Sequence, residues 1–302
     1  MEQRELAAHD SSITEMTAEQ RAWRRIGWDG ILLQVPADWH PAAVYTDYLL
    51  FEEHYQPVFA LKWQQVKGRF EADSILKQLQ KSPGRPELTP WQPPSDWRPH
   101  LRPFIHQGFS WQSSDGRGTG LLLYCRDSRR ALLLQFYGEE KSRLSVFRQL
   151  LANLQARQRG KYQLWSVFDL SLELPENAQL TEHEFLPGSF RLLFSLPEGT
   201  LTFYRFKPAA ELLRCQSLRE FGSKIADGAS VEQTDNPLLA QWRKHPGPGR
   251  HLLARLRRKP AFSTVRLWLL PEKNVIFGLK AQGDKPMAPA HFEALCTSCS
   301  PC

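Results

Sequence analysis

The sequence predicts an α+β protein made of two tandem repeats, each a mainly antiparallel sheet with the element order βββαβββα and packed with helices. Three observations carry that prediction. Ile31 to Asp38 (Ile-Leu-Leu-Gln-Val-Pro-Ala-Asp) and Leu170 to Asn177 (Leu-Ser-Leu-Glu-Leu-Pro-Glu-Asn) are apolar runs of strand character closed by proline and a polar residue. His106 with His251, and Phe147 with Phe292, stand at one common offset of 145 residues (251 − 106 and 292 − 147). The candidate elements between these anchors keep the same order in both halves. A chain of 302 residues exceeds the usual size of one core, so two domains of ordinary size follow. The predicted division is a partly disordered leader over 1–23, a first repeat over 24–157 and a second over 161–302.

In the first repeat the strand candidates are Gly30–Val35, Val44–Glu52 and Val58–Val66, rich in β-branched, aromatic and Leu residues. Glu71–Gln80 places Ile75, Leu76 and Leu79 at helical spacing, which predicts a helix with one narrow apolar face. Lys81–His100 holds six prolines with Trp91 and Trp97 and reads as irregular, an ordered loop or a flap. Phe104–Ser113, Thr119–Arg126 and Arg130–Tyr137 are the next strands, the last two joined by the turn Asp127-Ser128-Arg129. Gly116-Arg-Gly-Thr-Gly120 lacks the Lys-Ser/Thr ending of a phosphate loop and reads as a hairpin turn. Lys141–Gln155 closes the repeat as an amphipathic helix with Leu144, Phe147, Leu150, Leu151 and Leu154 on one side.

The second repeat reads as strands Leu164–Leu174, Ser189–Leu196 and Thr200–Phe206, then a helix over Glu211–Ile225. Strands His251–Arg258, Ser263–Leu270 and Asn274–Ala281 follow, with a last helix from Pro289. Asn236–Gly249 departs from the first repeat: Leu238, Leu239 and Trp242 predict a short helix before a Pro-Gly-Pro-Gly turn.

Composition narrows the function classes. Hydrophobic content of 41% with ten tryptophans excludes disorder, and no window holds the roughly 20 apolar residues of a membrane span. Residues 1–20 carry acids and no apolar core, so no secretory signal is expected, and a short lead-in helix from Thr17 is. Five cysteines, an odd number, argue against a disulfide framework, which makes the cytoplasm the expected compartment. The net charge of +7 concentrates in the later two thirds of the chain, which favours an acidic protein partner, a nucleic acid or an anionic surface.

Two constellations bear chemistry. His291, Cys296, Cys299 and Cys302 form a zinc-type ligand set in composition. The repeat alignment supplies the other reading, because Leu295, Cys296 and Cys299 stand where the first repeat has Leu150, Leu151 and Leu154, and buried cysteine packs as a small hydrophobe. Packing is favoured, so no metal or cofactor is expected. The second constellation is cationic: Arg243, Lys244, Arg250, Arg255, Arg257, Arg258 and Lys259 follow Trp242 with no intervening acid. On a strand, Arg255, Arg257 and Lys259 share one face. That surface suits an acidic protein partner, or nucleic acid through phosphate attraction and stacking at Trp242. A solvated strand face guarding a sheet edge is the plainer account. His106 and His251 read as strand residues with local hydrogen bonds, and the tryptophans as core.

The element order, the opening Val35-Pro36-Ala37-Asp38-Trp39 and the closing amphipathic helix resemble the PsbP/DcrB-like fold. That fold is shared by photosystem extrinsic proteins, a Ran-binding nuclear import factor and chaperones of type VI secretion effectors. The resemblance spans 24–157 and 161–300 and implies a binding protein without catalytic residues. The expected function is accordingly a non-enzymatic adaptor or chaperone-like protein, a monomer acting as a single-chain pseudo-dimer. Nucleic-acid association and a zinc- or thiol-dependent role are the alternatives.

Overall fold

The computed structural model describes residues 21–81, 86–114, 116–138, 143–247 and 260–300. Over these the chain is an α+β protein whose strands pair antiparallel. It forms two compact units, one taking in the chain up to Ile26 with Ile31–Arg157, the other Gly27–Gly30 with Gln158–Cys302.

The described chain begins with β1 (Trp23–Trp28), whose last two residues count with the second unit, and the first unit continues through β2 (Ile31–Pro36), β3 (His40–Tyr45), β4 (Tyr48–Glu53) and β5 (Gln56–Gln65). Helix α1 (Ala72–Gln80), β6 (Glu87–Pro90), a 3-10 turn at Ser95–Trp97 and α2 (Arg98–Leu101) come next. Strands β7 (Phe104–Ser113), β8 (Gly116–Cys125) and β9 (Arg130–Tyr137) then lead to α3 (Leu144–Ala152). Seven of these strands form a sheet in the order β3-β4-β5-β9-β8-β7-β6. Alternation along the strands splits their side chains between two faces. On one face Phe59 lies opposite Phe136 and Leu61 opposite Leu134, all fully buried. Helix α3 covers that face, with the Phe147 ring 4.3 Å from Phe136. Trp39 and Trp97 complete this core and are fully buried. At Gly120 a Cβ would stand 2.3 Å from Cζ of Phe109, so glycine there lets the Phe109 ring lie flat across β8.

The second unit has β10 (Tyr162–Val167) and β11 (Leu170–Pro175) as a hairpin, then β12 (Gln179–Leu186), β13 (Ser189–Leu196) and β14 (Gly199–Phe206). Helices α4 (Ala209–Leu212) and α5 (Leu218–Ala226) precede β15 (Ser230–Glu232), β16 (Leu239–Lys244), β17 (Phe262–Leu270) and β18 (Val275–Gly283), and α6 (Pro289–Ser298) closes the unit. Its sheet order is β12-β13-β14-β18-β17-β16-β15. Taken in chain order, both sheets therefore run first, second, third, seventh, sixth, fifth, fourth.

Several expectations are corrected. The order βββαβββα undercounts the strands. Val44–Glu52 is a hairpin, β3 and β4, turned at Thr46-Asp47 without a glycine or proline to mark it. Leu164–Leu174 is likewise two strands, turned at Phe168, which adopts φ 55°. Lys81–His100 is not irregular throughout, because β6 pairs with β7 at the sheet edge, where Pro90 is tolerated. Gly116–Gly120 is strand β8 and not a turn. Glu211–Ile225 is two helices, since Ser217 caps α5: its hydroxyl accepts from the Glu220 N–H and the Glu220 carboxylate accepts from the Ser217 N–H. Those hydrogen bonds hold the Glu220 carboxyl below its usual range. The expected helix within Asn236–Gly249 is strand β16, because burial alternates there, Ala240 and Trp242 inward and Gln241 and Arg243 outward. The expected strand His251–Arg258 and the lead-in helix from Thr17 lie outside the described residues.

Candidate functional site

The face of the first sheet opposite α3 carries a cleft. Lys62 of β5 lies opposite Leu133 of β9, and Leu133 opposite Leu122 of β8, while Gln64 lies opposite Ala131. These side chains make a floor that is apolar at Leu122, Ala131 and Leu133 and polar at Lys62 and Gln64. Helix α1 lies over it, and Ile75, Gln78 and Leu79 of that helix, with Trp63 of β5, complete the lining of a cavity of about 220 Å³. No residue of α1 is fully buried, even though Ile75 and Leu79 face the floor. Lys62 is exposed, and among the described residues no acid lines the cleft and none is paired with the Lys62 ammonium. The described lining has no histidine, cysteine or hydroxyl group, so its chemistry is non-covalent: apolar contact, two amides and one cation.

The second unit fills the corresponding space. There α5 covers the sheet and buries Leu218, Gly222 and Ala226. Gly222 is placed so that a Cβ would stand 2.1 Å from Cη2 of Trp242 and 2.6 Å from Cδ1 of Leu267, so the indole occupies the volume a side chain would need. Tyr204 and Phe206 hold the strand positions that Lys62 and Gln64 hold in the first sheet, opposite Gly278 and Ile276. Their rings stack at 5.9 Å, and Phe206 meets Phe221 of α5 at 5.0 Å. The Lys280 ammonium donates to the Ile225 carbonyl at 3.0 Å, and burial pulls its pKa down. A separate cavity beside Gly199, Phe262 and Gln282 holds about 10 Å³, no more than one water.

The residues singled out from sequence fall elsewhere. Trp242 was expected on a partner-binding surface, but it is only 3% exposed and belongs to the core beneath α5, because the strand alternation turns it toward the helix. Arg243 is half-exposed and pairs with Glu232 at 3.1 Å across β15 and β16. Lys244 is exposed at the end of β16. Arg250, His251, Arg255, Arg257, Arg258 and Lys259 lie outside the described residues, as does Cys302. His106 is exposed on β7 opposite Leu123. His291 is half-buried on α6, Cys296 is buried there, and Cys299 is buried just past its end. The Cys299 thiol donates to the Leu295 carbonyl at 3.2 Å. Among the described residues no group of three or more His, Cys, Asp or Glu side chains is arranged to hold a metal. The α1 cleft went unread in the sequence. Its signal was the pair Lys62 and Gln64 standing where the other half has two aromatics.

Burial pushes the Cys296 thiol up to about 12 and raises Cys299 further. Both are therefore expected to resist a thiol reagent at pH 8 in the native chain while the exposed Cys215 reacts at once. Because the folded value exceeds the unfolded one, stability from neutral Cys296 is complete below pH 9.0 and is lost as pH rises toward about 12. Reagent titration with and without denaturant, and unfolding followed across that pH range, check both statements.

No protein-family model matches the chain, and no curated protein does. Among solved structures the chain is similar to a protein from Bacteroides thetaiotaomicron VPI-5482, with 14% identity and a TM-score of 0.30 over 49% of this chain and 51% of that one. This chain thus spans about half of that protein, and a likeness of this degree carries no argument. Among the described residues no helix is long and apolar enough to cross a membrane.

Proposed function

We propose that the chain is a non-enzymatic binding protein, an adaptor or chaperone-like molecule built as a single-chain pseudo-dimer from two copies of one α+β unit. The observation that carries this reading is the common strand order of the two seven-stranded sheets. A duplication in which one copy packs its α5 face tightly and the other leaves its α1 face open is what divergence toward a binding role produces. The PsbP/DcrB-like resemblance, a fold of binding proteins, agrees with it. The partner we favour is a protein with an acidic surface, met by the cations Arg250, Arg255, Arg257 and Lys259, in the cytoplasm and by a monomeric chain.

The test is capture of partners by the tagged full chain in its native host, with nuclease treatment and with Arg255, Arg257 and Lys259 replaced by Gln. A stoichiometric protein that survives nuclease and is lost in the triple variant, with the unfolding midpoint unchanged, is the expected result. Capture abolished by nuclease assigns the same cations to nucleic acid and overturns the adaptor reading.

A further inference from the structure

We propose that the cleft beneath α1 binds a small amphipathic monoanion, an aliphatic chain that carries a carboxylate head group. This inference does not depend on the cations of residues 250–259, so either reading can fail without the other.

Size comes first. An apolar cavity of about 150 Å³ is enough to take benzene. The α1 cleft, at about 220 Å³, is larger and open to solvent, with Lys62, Gln64 and Gln78 of its lining exposed. Its lining is mixed: Leu122 and Ala131 are buried and Leu133, Ile75 and Leu79 half-buried around the void, beside the exposed polar side chains of Lys62, Gln64 and Gln78. Water held against the Leu122, Leu133, Ile75 and Leu79 part of that lining finds few partners, so displacing it there with methylene groups is favourable.

Charge comes second. The one ionic group in the lining is the Lys62 ammonium, with the Gln64 and Gln78 amides also present. An ammonium beside apolar side chains in one cleft is the complement of a chain that ends in a carboxylate, and the absence of acid in the described lining leaves nothing there to repel it.

The third argument is internal to the molecule. Where the second unit has Tyr204, Phe206 and Ile276, it closes the space with its own side chains, Trp242 included, and α5 buries three residues. Where the first unit has Lys62, Gln64 and Ala131, the helix buries none. At the paired positions of the two central strands, Lys62, Gln64, Leu133 and Ala131 stand where the second unit has Tyr204, Phe206, Gly278 and Ile276, which leaves the first unit an open site with apolar and cationic groups where the second has a packed helix-on-sheet face.

The experiment uses calorimetry on the full chain with octanoate as the probe. Binding at one site per chain is expected, strengthening by roughly fourfold per methylene from butanoate to octanoate. Octanol, which has the same chain and a neutral head, should bind about tenfold more weakly, a loss that Lys62→Gln should reproduce for octanoate while leaving octanol unchanged. The double variant Gln64→Phe with Ala131→Ile, which copies the second unit's Phe206 and Ile276, should abolish both interactions and raise the melting temperature. The rise shows that the fold survives and the void is filled. Octanoate binding indifferent to Lys62→Gln and to the filling variant overturns the proposal. So does the absence of octanoate binding in a chain that cosediments with phosphatidylglycerol vesicles, since that outcome assigns the cation to a membrane surface.

Discussion

Trp242→Ala is expected to destabilise the second unit by about 3–5 kcal/mol, the range for truncating a large buried aromatic. The indole is 3% exposed and lies against Gly222 of α5, and it belongs to one apolar cluster with Ala240, Val265, Leu267 and Ile276. Removing it leaves a void that the helix cannot easily close, since α5 is held at its start by the Ser217 and Glu220 capping box and farther along by the Lys280 bond to Ile225. Two compact units need not unfold together, so the loss should appear in one transition of a two-step denaturation curve and leave the other in place. If instead the variant unfolded like the parent and only lost affinity for a partner, the indole would be a surface anchor, as its place beside Arg243 and Lys244 had suggested.

That misplacement of Trp242 shows how far the sequence can be read. Phe104–Ser113, Arg130–Tyr137 and Ser189–Leu196 are strands with those bounds, because each is a short run rich in apolar and aromatic residues bounded by turn residues. Helix α3 is legible for the same kind of reason: Phe147, Leu150 and Leu151 repeat at the helical period and are buried together. Around Trp242 the two periods compete. Leu238, Leu239 and Trp242 fit a helix, Ala240 and Trp242 fit a strand, and only pairing with β17, more than twenty residues later in the chain, decides between them. The cleft is harder still, because a void is not written in any residue. Lys62 and Gln64 look like the solvated positions of an ordinary strand, and their meaning emerges only when α1 is seen to cross above them without burying a side chain.

The same limit governs the second large effect, at Glu53. In sequence it ends Phe51-Glu-Glu53, a polar turn approach with nothing to mark it as core. In the fold it is 7% exposed and receives two cations: the Arg21 guanidinium at 2.7 Å and that of Arg143 at 3.2 Å. The Arg21 side chain is itself only 11% exposed and also reaches Asp38 at 3.3 Å, so the carboxylate ties the start of the described chain and the approach to α3 to the end of β4. Removing one partner of a buried ion pair leaves the other desolvated and uncompensated, which costs about 3–5 kcal/mol. Asp38 retains part of the Arg21 compensation and Arg143 is 24% exposed, so Glu53→Ala should fall near the lower end, about 3 kcal/mol. Arg191 supplies the control. It meets Glu182 and Glu184 at 3.2 and 3.5 Å with its side chain 40% exposed, so Arg191→Ala should change stability by less than about 1 kcal/mol. Denaturant unfolding of both variants decides the matter: comparable small losses would mean that water reaches Glu53 and that the first unit is held by its sheet and α3 core without this clamp.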